Sequence, residues 1–179
     1  EKLGWTAAPF EIPADVKDAW KAAGSRSQAD FSAWGSRFEG LEASLKDEFE
    51  RRIEGKLPEN WIDAFTDYKK QITADLPKIA TRKASQNVLE VLTKAIPEMI
   101  GGSADLTGSN NTKTAVQAPI TAEGGYKGAY IYYGIREHGM AAAMNGLALH
   151  GGILPYGGTF LVFTDYCRPA IRLSALMNQ

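Results

Sequence analysis

The stretch Tyr130-Ile131-Tyr132-Tyr133-Gly134-Ile135-Arg136-Glu137-His138-Gly139-Met140 decides the architecture. Its first four residues are aromatic or β-branched, types that fit a pleated strand, and Gly134 closes the run. From Arg136 to His150 the chain predicts a helix. Its small residues Ala141, Ala142, Ala143 and Gly146 would let it lie close to a neighbour. A strand that feeds directly into a helix is half of a parallel βαβ unit. Working outward, Gly152 to Tyr156 predicts the next strand and Glu98 to Gly102 an earlier one. An amphipathic helix over Ala84 to Ile96, with Val88, Val91 and Leu92 inward, precedes that earlier strand. A last helix runs from Thr159 to Met177, with Pro169 expected to kink it. Helix, strand, loop, strand, helix, strand, helix is the order of an α/β fold with a parallel sheet. The connection from Ser103 to Gly128 is long, polar and rich in small residues, and such loops in compact domains are functional or mobile.

The first half of the chain differs. Apolar residues recur at Phe31, Trp34, Phe38, Leu41, Leu45 and Phe49, one stripe on a long helix from Ser27 to about Glu54, weakened at Gly35 and Gly40. Shorter helices are expected over Ala14–Ala23 and Glu59–Thr73, after an extended start through Pro9 and Pro13. Residues 1–100 hold 32 of the 41 charged residues and all four Trp, whereas residues 101–179 hold 13 of the 18 Gly. Helices first and a buried sheet second follow from that asymmetry. The 179 residues carry a net charge of −1, which offers no electrostatic attraction to nucleic acid or to an anionic membrane. No apolar run approaches the roughly 20 residues of a membrane helix. The single cysteine, Cys167, excludes an intrachain disulfide and fits a reducing, cytoplasmic setting. The chain starts at Glu1 rather than Met, stops at Gln179 inside a helical pattern, and offers few strands for a parallel sheet. Further chain at both ends is therefore expected.

Ligands of open α/β sheets sit beyond the carboxyl ends of the strands. Ser103 to Asn111, Gly134 to His138 and Gly157 to Phe160 lie there. Glu137 falls in the first turn of its helix, where the helix N-terminus favours the ionised carboxylate by about 0.3–1 kcal/mol. An ordinary first-turn acid and a functional carboxylate both satisfy that position. Asp105 and Ser109 are residues of the kind that cap and turn loops. Arg82 stands beside Lys83 and belongs to no larger basic cluster. His138 is either a base or a structural residue, and His150 is placed to meet carbonyls at the end of its helix. Phe160, Phe163 and Tyr166 recur every three residues, a spacing that usually signals packing. No phosphate-binding glycine fingerprint and no nucleophile elbow follows any strand.

Gly101-Gly102-Ser103-Ala104-Asp105-Leu106-Thr107, Tyr133-Gly134-Ile135-Arg136-Glu137-His138-Gly139-Met140 and Pro155-Tyr156-Gly157-Gly158-Thr159-Phe160-Leu161 together resemble transketolase. Leu3-Gly4-Trp5, Pro9-Phe10-Glu11-Ile12-Pro13 and Ala80-Thr81-Arg82-Lys83-Ala84-Ser85 resemble the same family, so the likeness spans nearly the whole chain. The resemblance implies an incomplete thiamine diphosphate-binding fold. Residues 1–76 would be a helical linker or extension, and residues 77–179 the first part of the pyrimidine-binding domain. It implies an enzyme that moves a two-carbon ketol unit from a ketose phosphate to an aldose phosphate. The enzyme would be a homodimer with thiamine diphosphate and Mg²⁺, the metal ligands lying in a domain absent here, and these 179 residues alone would be inactive. By the same resemblance Glu137 is the catalytic acid at the pyrimidine nitrogen and Phe163 the ring on which the pyrimidine stacks. Phe160 and Tyr166 would be further pocket wall, Asp105 an acid near the cofactor, and Arg82 and Ser109 the substrate-phosphate ligands. No residue of this chain is implied as a metal ligand. Gly108 departs from the family, where many members carry Pro. The alternative to this reading is a non-catalytic helical interaction module that presents Trp34, Phe38 and Leu41.

Overall fold

The computed structural model describes residues 3–179, which divide after Asp47 into two compact units. The first unit is helical: α1 (Ala14–Ser25), α2 (Gln28–Glu39) and the start of α3 (Ala43–Ile53). The single long helix expected from the apolar stripe is two helices. At Gly40 the backbone N–H turns back to the carbonyls of Ser36 and Phe38 and ends α2, and Glu42 then accepts from the amides of Leu45 and Lys46 to start α3. Gly35, the other weak point, stays inside α2. Phe31, Trp34 and Phe38 stack along α2 with ring centroids 6.0 and 5.3 Å apart, the helical i, i+3, i+4 neighbourhood made visible.

The second unit holds the rest of α3, then α4 (Trp61–Asp75), α5 (Thr81–Ala95) and a three-stranded sheet. Its strands are β1 (Met99–Ser103), β2 (Tyr130–Tyr132) and β3 (Leu154–Pro155), in the order β2-β1-β3 and parallel throughout. The central strand pairs Gly102 with Ile131 on one side and Ile100 with Pro155 on the other. Pro155, which has no N–H for a ladder, lies on an outer strand, where it does least harm. β3 is shorter than its apolar pattern predicts because Gly151 and Gly152 take positive φ angles of 80° and 76° and turn the chain first. A Cβ on Gly101 would sit 2.4 Å from the Tyr156 ring, and one on Gly102 would sit 2.3 Å from Tyr133. The glycine pair in the middle strand thus leaves room for two aromatic rings on the sheet.

Three further helical pieces follow: α6 (Thr107–Asn110) within the long connection, α7 (Glu137–His150) after β2, and α8 (Thr164–Leu176) after a 3₁₀ turn at Leu161–Phe163. α8 contains Pro169. It is held to α7 where the Asn145 amide donates to the Ala170 carbonyl at 2.9 Å. Ile96, Met99, Tyr130, Met140, Cys167 and Ala170 are buried between these elements. Among the described residues no helix is long and apolar enough to cross a membrane.

Candidate functional site

The carboxyl ends of β1 and β2 and the segment after β3 converge on one cleft of about 490 Å³. β1 delivers Ala104, Asp105 and Leu106; the turn after β2 delivers Ile135 and Glu137; the start of α8 delivers Phe163 and Tyr166 from its first turn and just before. The parallel topology causes the convergence, since all three strands point the same way.

Each contribution has a local cause. Asp105 adopts a left-handed backbone with φ 60°, which Asp tolerates better than most residues. The buried Ser103 hydroxyl supports that turn. It accepts from the Leu106 N–H at 3.2 Å and donates to the Gly158 carbonyl at 3.1 Å, tying the end of β1 to the segment after β3. Gly134, at φ 67°, turns the chain out of β2. The Arg136 guanidinium folds back over it to the Tyr133 carbonyl at 2.8 Å, where any Cβ on residue 134 would lie 2.4 Å from that nitrogen. Glu137 then opens α7, half-buried and at the positive end of the helix dipole.

Phe160, Phe163 and Tyr166 form a stacked series with centroids 6.1 and 6.0 Å apart. Phe163 and Tyr166 line the cleft; Phe160 stands behind Phe163 and is not among its wall residues. Buried Cys167 sits under this wall, its thiol aimed at the Phe163 carbonyl at 3.9 Å. Burial pushes that thiol up from its ordinary pKa, and the neighbouring Glu137 carboxylate pushes it further in the same direction.

Arg82 and Ser109 meet at a second place. Arg82 Nη1 donates to the Ser109 carbonyl at 3.4 Å, joining the first turn of α5 to α6 across 27 residues of sequence. Neither lines the cleft. His138 is exposed, and His150 Nδ1 lies 3.0 Å from the Gly151 carbonyl at the end of α7. Ala104, Leu106 and Ile135 are cleft residues that sequence reasoning missed. The available signal was Ile135, an aliphatic side chain in a glycine turn that is left 79% exposed, where a polar residue is the usual choice.

A carboxylate facing a wall of aromatic and aliphatic groups suits a flat heteroaromatic ring carrying a basic nitrogen. The ring would gain stacking, the nitrogen a charge-assisted hydrogen bond. The fold therefore defines a parallel α/β unit with an open cleft at its strand ends. Residues 77–179, more than half of the chain, match the family described as transketolase, pyrimidine binding domain, and residues 1–58 match transketolase, thiamine diphosphate binding domain. Transketolase of Cereibacter sphaeroides is 52% identical over 179 residues, and that of Rhodobacter capsulatus 50% over 178, each match covering 99% of this chain and 26% of the relative. The crystal structure of Pichia stipitis transketolase complexed with sedoheptulose 7-phosphate superposes with a TM-score of 0.80 at 40% identity, covering 94% of this chain and 26% of that one. Transketolase from Leishmania mexicana gives 0.77 at 36% identity, covering 94% and 25%. The chain belongs to the transketolase family and spans about a quarter of the length of its curated relatives. The helical stretch read from sequence as a linker includes the part matched to the diphosphate-binding domain.

Proposed function

We propose that this chain is the part of a transketolase that holds the pyrimidine end of thiamine diphosphate and the phosphate end of the sugar substrate. The observation that carries the reading is the joining of Glu137, Phe163 and Tyr166 in one cleft at the strand ends. Residues 77–179 would form the first part of the pyrimidine-binding domain, and residues 1–76 a helical segment that includes the stretch matched to the diphosphate-binding family. The whole enzyme transfers a two-carbon ketol unit from a ketose phosphate to an aldose phosphate, works in the cytoplasm, and acts as a homodimer. Pichia stipitis transketolase was crystallised with sedoheptulose 7-phosphate and with fructose 6-phosphate, which supports substrates of that class here.

The cleft fits the pyrimidine: Phe163 offers the stacking face, Tyr166 and Ile135 would lie against its edges, and Phe160 stacks on the far side of Phe163. When bound, thiamine diphosphate supplies a carbon nucleophile and an electron sink for the carbon–carbon bond that breaks. Glu137 would share a proton with the pyrimidine nitrogen through a charge-assisted hydrogen bond. Asp105 adds a second carboxyl group on the cofactor side. The Mg²⁺ that the family uses would be held by a portion of the enzyme outside this chain. Arg82 and Ser109 take the substrate phosphate, for which a guanidinium fork is well suited.

In the complete enzyme Arg82→Ala is expected to lower kcat/KM about ten- to a hundredfold for phosphorylated substrates, the range of a lost charge-assisted hydrogen bond. Unphosphorylated substrates should be nearly unaffected. Equal losses for both classes would remove Arg82 from the phosphate site.

A further inference from the structure

We infer that Tyr130 is a positioning residue for the phosphate end of the substrate, acting through α6; the inference rests on the assignment of Ser109 and Arg82 made above. Tyr130 opens β2 and is 0% exposed. Its phenol oxygen lies 2.9 Å from Thr107 Oγ1 and 2.7 Å from Thr112 Oγ1. Those threonines flank Ser109: Thr107 is the first residue of α6, and Thr112 follows its left-handed cap Asn111. One hydroxyl from the sheet thus grips both ends of the segment that carries the phosphate ligand. Thr112 is fixed a second time, its carbonyl accepting from the Tyr156 hydroxyl at 2.7 Å.

α6 needs such a grip. It is four residues long, too short to be stable by its own hydrogen bonds. Gly108 inside it lacks a side chain, and a Cβ there would meet nothing within 4 Å, so this position adds flexibility and no packing. The Ser109 carbonyl meets Arg82 at 3.4 Å, so a shift of α6 moves both phosphate ligands. A buried hydroxyl with two partners is a specific restraint, because breaking it leaves polar oxygens buried without a bond.

The test is Tyr130→Phe in the complete enzyme, which removes one oxygen and keeps the ring. The change removes both bonds; KM for a phosphorylated ketose donor should rise about three- to tenfold, since only part of the energy of the two lost neutral hydrogen bonds is felt at the phosphate ligands. The kcat, and the KM for an unphosphorylated ketol donor, should stay within about twofold. Adding Gly108→Pro, which stiffens α6 by another route, should recover part of the lost KM. A purely structural role would lower thermal stability and affect both donors alike, or neither. Either pattern overturns the inference. If Tyr130→Phe does not fold, Thr107→Val removes one of the two bonds from the half-exposed side; a smaller KM rise confined to the phosphorylated donor is expected, and its absence overturns the inference. Arg82→Ala is measured in parallel. Selectivity lost in Arg82→Ala but kept in Tyr130→Phe refutes the positioning role alone, whereas no selectivity change in Arg82→Ala refutes the phosphate site itself.

Discussion

Cys167 packs beneath the aromatic wall with 3% exposure, and its thiol is raised first by burial and then by the Glu137 carboxylate. A thiol held up in this way is a packing residue, not a nucleophile. In the native complete enzyme at pH 8 the Cys167 peptide is expected to stay unalkylated by iodoacetamide under conditions that fully label the denatured chain. Rapid native labelling, read by mass spectrometry, would contradict this. Other residues of the site differ in how far their sequence revealed them. Glu137, Asp105, Phe163 and Tyr166 took their expected roles from the family motifs; from the residues alone Glu137 was equally an ordinary first-turn acid, Asp105 a loop-capping residue, and the aromatic spacing a sign of packing. Ile135 and Leu106 were not legible, since an aliphatic side chain gains meaning as cleft wall only when three separate strand ends meet. Tyr130 read simply as a strand residue; the threonines that its hydroxyl bonds are 18 and 23 residues away in sequence.

The elements follow the sequence where a local rule decides them and depart from it where a single glycine outweighs a pattern. The parallel strand–helix order was readable from residues 98–177; the break at Gly40 was not, since Gly35 has the same weak helix propensity and stays inside α2. The shortening of β3 depended on the positive φ angles of Gly151 and Gly152, and α6 on bonds to a distant strand. One cross-element ion pair has a measurable consequence. Arg51 on α3 makes two hydrogen bonds to Glu98, at 2.8 and 3.1 Å, and two more to Glu48. Hydrogen bonds from Arg51 and then Arg52 hold the Glu48 carboxyl down at about 2. Burial pushes the Glu98 carboxyl up, but the Arg51 hydrogen bonds, a backbone hydrogen bond and the charges of Arg51 and Arg52 together outweigh it and leave the group below its ordinary value. Both carboxylates bind protons less readily folded than unfolded. Their contribution is therefore complete above the ordinary carboxylate pKa of 4.5 and disappears as pH falls toward about 2. Arg51→Met leaves buried Glu98 without its partner and should destabilise the protein by about 3–5 kcal/mol near pH 7, with a gap from wild type that narrows in acid. Denaturant unfolding at several pH values checks it; an unchanged midpoint at pH 7 would show the pair to be incidental.

At the scale of the molecule, the second unit is organised so that a central strand containing two glycines carries an aromatic-covered sheet and opens a cleft at its carboxyl end. The chemistry assigned to that cleft depends on one proton at Glu137. Glu137→Gln keeps size and polarity, so fold and cofactor affinity should be largely retained in the complete enzyme, while kcat falls about 10²–10⁴-fold, the range of a positioned acid–base group. The most direct measurement is exchange of the thiazolium C2 proton of bound thiamine diphosphate with deuterium, followed by NMR. The proposed role predicts exchange slowed in Glu137→Gln by a comparable factor; exchange as fast as in the wild type would contradict it and leave Glu137 an ordinary acid of a helix first turn.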